Sequence, residues 1–535
     1  MKNDLYDAVI IGGGHNGLVC AYYLVRAGLK VKICERRSIV GGAAVTEEFF
    51  PGFRNSVASY TVSLLNPQVI SDMDLAGHGL EVVKRPVSNF LPSDNGNYLL
   101  LGGGLERTQQ EFRKYSVHDA EQLPRYHDRL EQVADVLRQL SVQTPPNPRA
   151  KFRGGLNALK QMWPLVTGSD ELQQDVFDLF TKSARGFLDN WFESDLPKAA
   201  FGFDAVVGNY ASPDTPGSAY VLLHHVFGEV NGEKGAWGHA LGGMGAITNA
   251  MRNACEEAGV EIVVDAAVKS LLLDDKKVTG VMLESGQEVL AKQVVANVNP
   301  KLLYEKMLPE AALDKEFLTR IKNYKCGSGT FRMNVALSEL PDFSCLPGRD
   351  LAEHHQSGIV IAPSLDYMDQ AYTDAKQYGW SKKPIVEMLI PSTVDDSLAP
   401  QGAHVASLFC QQFSPDLPDG RSWSQEREQA ADLIIETVNQ YAPNFKASVL
   451  GRMILSPEDL ENKFGLVGGD IMHGAMTLDQ MWAARPVLGH GDYRGPLQGL
   501  YMCGSGTHPG GGVTGLPGKN AAREITRDLG LKIVV

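Results

Sequence analysis

The sequence predicts an α/β fold in which a domain built on a parallel β-sheet is interrupted by a mixed α+β domain. Three observations lead to this prediction. A strand, a glycine-rich turn, a helix and a second strand follow one another within residues 6–35. Regular α/β patterning returns at residues 236–300, and a further strand, glycine-rich loop and helix begin at residue 499. At 535 residues the chain is long enough for more than one domain.

The first β-α-β unit is the clearest part of the pattern. Residues 6–11 (YDAVII) form a short apolar run that stops at three glycines, which is typical of a buried strand entering a turn. Residues 17–28 carry apolar side chains on every side and stop at Gly28, a favourable residue for ending a helix. Residues 29–35 then form the second strand.

The remaining elements define the domain boundaries. In chain order, the sequence predicts a helical stretch at 106–140, a helix near 244–258, strands at 260–264, 268–273, 278–283, 288–297, 357–362 and 385–391, a helix near 424–441, a strand at 499–503 and a helix near 518–529. We therefore assign residues 1–85, 236–300 and 485–535 to the discontinuous domain, and residues 86–235 and 301–484 to the inserted substrate domain.

Composition narrows the class of protein. The net charge of −13 argues against nucleic acid as a partner, and the 7 cysteines contain neither a C-x-x-C pair nor a metal-binding spacing. No stretch reaches the roughly 18 apolar residues that a membrane-spanning helix needs. Because the first strand begins by Tyr6, we expect no targeting peptide, and we predict a cytoplasmic protein.

The glycine-rich turn carries the strongest functional signal. Gly12, Gly14 and Gly17 form a G-x-G-x-x-G pattern between a strand and a helix, with His15 and Asn16 before the last glycine. Gly12 allows a tight turn, Gly14 lets the backbone approach a pyrophosphate, and Gly17 permits close packing of helix on strand. Amides at the start of the helix attract phosphates. The pattern predicts a Rossmann-type dinucleotide-binding domain.

Other residues indicate which dinucleotide binds. Glu35 ends the second strand, where an acid can bind the adenosine ribose, and Arg36 follows it. Gly42 and Ala43 then bring the backbone close to the cofactor a second time. Late in the chain, residues 503–513 (CGSGTHPGGGV) open a helix whose amides can stabilise negative charge on a reduced flavin. The last two features favour FAD over NAD.

The combination of GGGHNG, ERRxxxGGAA and GLYMCGSGTHPGGGVTG resembles the phytoene desaturase family of FAD-dependent oxidoreductases, within the amine-oxidase-like flavoproteins. The resemblance covers essentially the whole chain, although Ala43 stands where carotenoid desaturases usually have an arginine. It implies that the FAD is lined by Gly12, Gly14, Gly17, Glu35, Gly42, Ala43, Val268, Gly504 and Val513. We place Gly512 where the backbone passes the flavin ring. We expect non-covalent binding, because no attachment motif is recognisable.

The resemblance also places candidate catalytic residues. It implies that Tyr60, residues 242–244 and residues 471–474 lie near the flavin ring. His473 or His239 would then exchange protons with the substrate or with the flavin, since histidine titrates in the useful range. The alternative is that each is a hydrogen-bonded structural histidine. We predict no metal site, because the adjacent histidines at 224–225 and 354–355 should point apart.

The implied activity is hydride transfer between flavin N5 and a hydrophobic, unsaturated small molecule, as in a desaturase, saturase or isomerase. Two alternatives remain. One is an amine or amino-acid oxidase, which would need an aromatic cage or a paired carboxylate and arginine that the sequence does not locate. The other is a flavoprotein without turnover that binds a protein partner. The resemblance implies a mitochondrial location if the chain is eukaryotic.

One further segment indicates a surface contact. Residues 149–163 carry four bases and no acid, and Phe152, Leu156, Leu159 and Trp163 form an apolar stripe there at helical spacing. This amphipathic pattern predicts a peripheral membrane contact, a contact between subunits of a homo-oligomer, or packing on the chain's own domain.

Overall fold

The computed structural model describes residues 5–532, with all their side chains except those at 150–154, 156–157, 166 and 224–225. In chain order the strands are β1 (Tyr6–Ile11), β2 (Val31–Cys34), β3 (Thr46–Phe50), β4 (Phe53–Ser56), β5 (Val82–Lys84), β6 (Asn89–Pro92), β7 (Tyr98–Leu101), β8 (Glu229–Val230), β9 (Glu233–Lys234), β10 (Gly238–Ala240), β11 (Glu261–Val263), β12 (Val268–Asp274), β13 (Lys277–Leu283), β14 (Glu288–Ala296), β15 (Thr330–Leu337), β16 (Gly358–Ile361), β17 (Trp380–Leu389), β18 (His404–Phe413), β19 (Val449–Leu455) and β20 (Leu500–Met502).

The helices of the same range are α1 (His15–Arg26), α2 (Pro67–Asp72), α3 (Leu105–Arg113), α4 (Val117–Ser141), α5 (Lys151–Val166), α6 (Asp170–Thr181), α7 (Ala184–Leu188), α8 (Asp195–Gly202), α9 (His224–Phe227), α10 (Met244–Glu257), α11 (Lys315–Lys322), α12 (Leu365–Tyr378), α13 (Trp423–Tyr441), α14 (Phe445–Ser448), α15 (Pro457–Phe464) and α16 (Leu516–Asp528). Among the described residues, every helix is too short or too polar to cross a lipid bilayer.

The first sheet has the Rossmann arrangement that the sequence predicts. Its strand order is β11-β2-β1-β14-β13-β12, with β20 added to β14. Strands β11, β2, β1, β14 and β20 are parallel, and β12 and β13 extend the sheet in antiparallel fashion. Helices α10 and α16 both pack against α1 over an apolar core. The strands come from residues 6–34, 261–296 and 500–502, so that distant parts of the chain meet in one sheet.

A second sheet forms the wall that faces the first. Its order is β19-β15-β18-β17-β16-β6-β7, and only the β16–β6 pair is parallel within the described chain. Helix α13 covers one face, and helices α4, α7, α8 and α12 cover the other. Because both faces are buried, β15 and β18 contain almost no exposed side chain. The predicted α/β fold with a mixed second part is confirmed.

The structure corrects the prediction about the adjacent histidines at 354–355. The rings of His354 and His355 do not point apart, because a short 3₁₀ turn places their centroids 3.9 Å from each other. Both ring nitrogens of His355 are occupied, one by the carbonyl of Pro341 and one by the amide of Ala352. The side chains of residues 224–225 lie outside the described set. Within that set no group of three or more metal-ligating side chains occurs.

Most of the amphipathic segment 149–163 forms helix α5. Leu159 is 54% exposed and Trp163 is 55% exposed, so these two apolar side chains project from the surface. The other two members of the predicted apolar stripe, at 152 and 156, lie outside the described side chains. A membrane or subunit contact at this helix stays a prediction.

Candidate functional site

A long cavity lies between the two sheets. Gly12 and Glu35 line one end, at the carboxyl edge of the parallel strands, and Tyr60 and Glu387 line the other. Most of the other lining side chains are apolar: Ala43, Ala58, Val62, Leu64, Leu65, Phe203, Val207, Met244, Ile247, Val298, Leu302, Met307, Phe464, Leu466, Ile471 and Met472. Open α/β sheets bind their ligands at the carboxyl edge of the strands. The first end is therefore the place for a dinucleotide.

The turn between β1 and α1 has a backbone that only glycine accommodates. Gly12 has a φ of +96°, a value that other residues rarely adopt. A Cβ on Gly17 would lie 2.3 Å from the carbonyl oxygen of Gly12, and a Cβ on Gly14 would lie 3.0 Å from Nδ2 of Asn297. Gly12 therefore shapes the turn, and Gly17 lets the helix pack closely on it. Gly14 keeps a narrow space open beside Asn297.

The start of α1 is prepared for an anion. Gly14 begins the helix without a side-chain cap, and the first turn contains no acidic residue. Amides of a first helical turn lack partners within the helix and form the positive end of its dipole. These features fit a bound pyrophosphate.

Glu35 is held in place by two backbone amides. Its carboxylate accepts hydrogen bonds from Gly13 at 2.7 Å and from Arg37 at 2.8 Å, and the side chain is only 6% exposed. A carboxylate accepts up to about four hydrogen bonds, so capacity remains for ribose hydroxyls. Arg36 also lines the cavity, and its guanidinium donates to the carbonyl of Lys463 at 2.9 Å.

Gly41 and Gly42, the second glycine pair, lie against the glycine-rich turn. The amide of Gly41 donates to the glycine-rich turn at 2.8 Å. Gly42 has a φ of +59°, and a Cβ there would lie 3.3 Å from Cα of Gly14. Gly42, Ala43 and Val268 all line the cavity. The backbone thus approaches the dinucleotide end twice, in two separate segments.

The tail loop reaches the same cavity from the far part of the sequence. Ser505, Gly512 and Val513 line it, whereas Gly504 lies just outside the lining. Gly512 has a φ of +94°, and a Cβ there would lie 2.7 Å from Cδ1 of Leu64, which is another cavity residue. The steric neighbour of Gly512 is therefore a flexible protein side chain, and its backbone conformation is the stronger constraint.

A buried arginine ties the tail loop to the segment that carries His473. Arg485 is fully buried and donates to the carbonyl of Ser505 at 3.0 Å through Nη2, as well as to the carbonyl of Met472. Because one guanidinium bonds both segments, their positions in the cavity wall depend on each other.

His15 and His473 face the cavity as neutral rings. Burial, followed by the nearby charge of Arg485, lowers the pKa of His473 to about 3. Burial lowers the pKa of His15 to about 4. Nδ1 of His473 has no hydrogen-bond partner in the described part of the chain, and its backbone adopts a left-handed φ of +59°. Near neutral pH both rings can donate or accept a hydrogen bond, but neither stores a proton as an imidazolium.

His239 is placed differently. Its Nε2 lies 3.0 Å from a carboxylate oxygen of Asp395, the ring is 4% exposed, and it is not among the residues that line the cavity. Burial alone would raise the pKa of Asp395, but hydrogen bonds from His239, Ser397 and the amide of Gly242 lower it to about 2. This geometry is typical of a structural pair. A catalytic role for His239 stays a prediction, and His239 does not line the cavity.

At the other end of the cavity, three strands bring two opposite charges together. Arg332 lies opposite Phe409, and Phe409 lies opposite Glu387, across β15, β18 and β17. Directly paired residues point to the same face, so the guanidinium and the carboxylate flank the aromatic ring. Arg332 is 1% exposed and donates to the carbonyl of Leu408 and the hydroxyl of Ser407, each at 2.8 Å.

Tyr60 lies on top of this row. Its hydroxyl donates to Glu387, its ring stacks on Phe409 at 5.1 Å between centroids, and the Arg332 guanidinium lies 4.6 Å from the ring centre. Burial raises the pKa of Glu387, and burial together with Glu387 raises that of Tyr60 well above its ordinary value. Tyr60 therefore remains a hydrogen-bond donor at any physiological pH.

Arg85 also faces this end of the cavity. It lies deep in the molecule, between β5 and Pro86, yet part of its surface is accessible because it lines the cavity. Its guanidinium donates to the hydroxyl of Thr61. Burial lowers its pKa, and the negative charge of Glu387 opposes that shift.

The sequence reasoning missed Arg85, Arg332 and Glu387. The two strand residues are single charges inside otherwise apolar runs, TFRMNVAL and PIVEML. A lone charge in a strand that is buried on both faces costs free energy unless it is paired or serves a site. The sequence therefore contained a signal for Arg332 and Glu387, but it could not show that the two residues lie close together.

Comparison with known proteins agrees with this geometry. Residues 17–330 match the family described as flavin containing amine oxidoreductase. The rat protein named pyridine nucleotide-disulfide oxidoreductase domain-containing protein 2 is 41% identical over 544 residues, covering 98% of this chain and 94% of its own length. The phytoene desaturase (lycopene-forming) of Pantoea ananas is 24% identical, covering 96% of this chain and 97% of that protein. The predicted resemblance is confirmed.

Solved structures agree on the fold. A structure of putrescine oxidase bound to putrescine superposes with a TM-score of 0.61 at 15% sequence identity, covering 98% of this chain and 99% of that one. At this level of identity the likeness concerns the fold alone, which is that of the amine-oxidase-like flavoproteins.

Proposed function

We propose that this chain, which belongs to the family of flavin-containing amine oxidoreductases and is an FAD-dependent oxidoreductase, transfers hydride between the flavin and a hydrophobic, unsaturated substrate. The observation that carries this proposal is the mostly apolar wall of the cavity. Such a wall binds an apolar molecule by removing its surface from water, and it keeps water away from the reacting atoms. When bound, FAD supplies a centre that accepts or gives hydride.

Residues at the first end of the cavity would hold the FAD. The amides at the start of α1 bind the pyrophosphate, and Glu35 binds the ribose hydroxyls. Backbone from the second glycine pair and from the loop with Gly512 and Val513 closes around the remainder. His473, neutral and without a partner for Nδ1 in the described chain, supplies a hydrogen bond at the cavity wall.

We propose further that the FAD is held without a covalent bond. Cys34 lines the cavity, but it lies next to Glu35 at the dinucleotide end, and burial raises the pKa of its thiol to about 11. A protonated thiol is a poor nucleophile. Cys503 is fully buried and is not among the lining residues. Acid precipitation of the holoprotein should release all the flavin, and colour that stays with the precipitate would contradict this proposal.

Anaerobic mixing tests the proposed reaction. Polyenes, retinoids and unsaturated fatty acyl compounds are mixed with the oxidised or dithionite-reduced holoprotein, and the flavin absorbance is followed. We expect at least one of these apolar classes to reduce or reoxidise the flavin. If all of them leave it unchanged although dithionite reduces it, the proposal fails, and a flavoprotein without turnover becomes the better account.

A matched pair of variants connects the reaction to the apolar wall. Val207→Asp places a charge in the wall, whereas Val117→Asp makes the same change at a side chain that is 61% exposed. Burying an unpaired charge costs several kcal/mol. The reaction with the apolar substrate should therefore slow at least about 10-fold in Val207→Asp alone, while reduction by dithionite stays the same in both.

One observation favours a second candidate, an amino-acid or amine oxidase. Such an enzyme needs a paired carboxylate and arginine for a polar substrate, and Glu387 and Arg85 line the same end of the cavity. Reduction of the flavin by amino acids or primary amines, with no reaction of the apolar compounds, would identify this activity instead.

A further inference from the structure

We infer that the end of the cavity formed by the second sheet is a binding site for a carboxylate, and that Arg85 is the residue that binds it. The substrate is then an apolar, unsaturated molecule that carries a carboxylate group. This inference rests on the proposed function, because it assigns the substrate class of the same cavity.

Arg85 has hydrogen-bonding capacity that the protein leaves unused. A guanidinium has five N–H donors in a fixed planar fork. In the described part of the chain, the Arg85 side chain donates to one acceptor, the hydroxyl of Thr61. The same side chain lies in the interior and lines the cavity. The charge of Glu387 offsets the cost of burying this cation only in part, because the pKa of Arg85 is still lowered. A further anion beside Arg85 would therefore be stabilising.

The second buried arginine at this end shows the contrast. Arg332 donates to the carbonyl of Leu408 and to the hydroxyl of Ser407, and it packs on the Tyr60 ring. It is 1% exposed and is not among the cavity-lining residues. Arg332 thus supports the wall, whereas Arg85 presents its donors to the cavity.

The backbone of Arg85 and the bond of its guanidinium to Thr61 together restrict where these donors lie. Its amide donates to the carbonyl of Trp237 at 3.4 Å, and Pro86 restricts the conformation of the residue before it. A planar fork in a fixed position suits a planar carboxylate, which it can bind through two parallel hydrogen bonds. The negative charge of Glu387 near Arg85 opposes the binding of any anion, and it opposes a doubly charged phosphate more strongly than a singly charged carboxylate. The geometry therefore selects a singly charged carboxylate.

The same end of the cavity is poorly suited to an amine. The carboxylate that would attract an ammonium group, Glu387, already accepts a hydrogen bond from the hydroxyl of Tyr60 and is 7% exposed. The rings of Tyr60 and Phe409 stack on each other with an interplanar angle of 26°, so they do not face each other across a gap that could hold an amine. The guanidinium of Arg85 is therefore available to a ligand, whereas the carboxylate of Glu387 is already hydrogen-bonded.

Binding to the holoprotein tests the inference without turnover. The probes are oleate, oleyl alcohol and oleylamine, which share one apolar chain and differ in the end group. Binding is followed by the perturbation of the flavin absorbance and by calorimetry. We expect oleate to bind more tightly than the alcohol or the amine. Equal affinity for oleate and the alcohol, or a preference for the amine, would overturn the inference. This test needs only the wild-type protein.

Variants then assign the effect to Arg85. Arg85→Gln should weaken oleate binding about 10- to 100-fold, the effect expected for a lost hydrogen bond to a charged group. Oleyl alcohol binding and flavin content should not change. Arg107→Gln removes an arginine whose partner is the exposed Glu353, and it should leave all three affinities as they are. Loss of FAD from Arg85→Gln would assign this arginine to the cofactor and overturn the inference.

Failure of this inference and failure of the proposed function can be told apart. If apolar compounds react with the flavin but carboxylates show no advantage in binding, only the carboxylate site is wrong. If oleate binds through Arg85 but no unsaturated compound reacts with the flavin, only the proposed reaction is wrong.

Discussion

Replacing Gly17 with Ala tests how the start of α1 is seated at the dinucleotide end. A Cβ there would lie 2.3 Å from the carbonyl oxygen of Gly12, whereas ordinary contact begins at 3.4 Å. Because the obstacle is backbone, the helix start must move by about 1 Å. Hydrogen bonds of about 2.9 Å from its amides to a pyrophosphate would then stretch to nearly 4 Å and be lost. With roughly 1.5–3 kcal/mol for each such bond, FAD should bind about 10- to 100-fold more weakly.

The assay is titration of the apoprotein with FAD, followed by flavin fluorescence and checked by thermal unfolding. The matched control is Gly155→Ala, because Gly155 also lies in a helix but has no atom within 4 Å of an added Cβ. That change should stabilise the protein by about 0.5–1 kcal/mol and leave FAD affinity unaltered. If Gly17→Ala binds FAD as tightly as the control, then the close seating of α1 does not position the cofactor, and the reasoning is refuted.

Three further predictions concern other parts of the molecule. Glu35→Ala should lower FAD affinity about 10- to 100-fold, since it removes charge-assisted hydrogen bonds to the ribose, and an unchanged flavin content would be inconsistent with this role. Gly512→Val should cost more flavin than Gly104→Val, because both residues have a positive φ, of +94° and +107°, but only the first lines the cavity; equal FAD content and photoreduction rates would exclude the tail loop from the site. The pKa of Asp395, lowered from 3.8 to about 2, should contribute about 2 kcal/mol of stability above pH 4 that disappears as the pH falls towards 2. Urea unfolding measured across that range should show a loss of stability, and the loss should be smaller in Asp395→Asn by the contribution of this one carboxyl group.

The sequence predicted the elements whose signals are local. The strand at residues 6–11 has the bounds that it was given, and the helix after it begins at His15 rather than residue 17 because Gly14 already takes the capping position. The helix at Met244–Glu257 and the strands that follow it lie within a residue or two of their predicted bounds. In these segments glycine turns and apolar periodicity decide the structure, and both can be read from neighbouring residues.

The second sheet and its charged end depend on contacts that are distant in sequence. Strands β15 and β18 were not predicted, because a strand buried on both faces lacks the alternation of polar and apolar residues. The row of Arg332, Phe409 and Glu387 exists only through the register of three strands. A one-residue shift in that register would turn a charge to the opposite face. The sequence shows each charge, but not the pairing that unites them.

The assembly of the dinucleotide end from early and late parts of the chain has a consequence for biosynthesis. Strand β20 joins the sheet beside β14, and α16 packs so closely on α1 that a Cβ on Gly518 would lie 2.1 Å from the carbonyl oxygen of Asn16. A ribosome needs on the order of a minute to reach these residues. Until then the nascent chain displays the glycine-rich turn without its cover, so cofactor loading must follow translation of the tail.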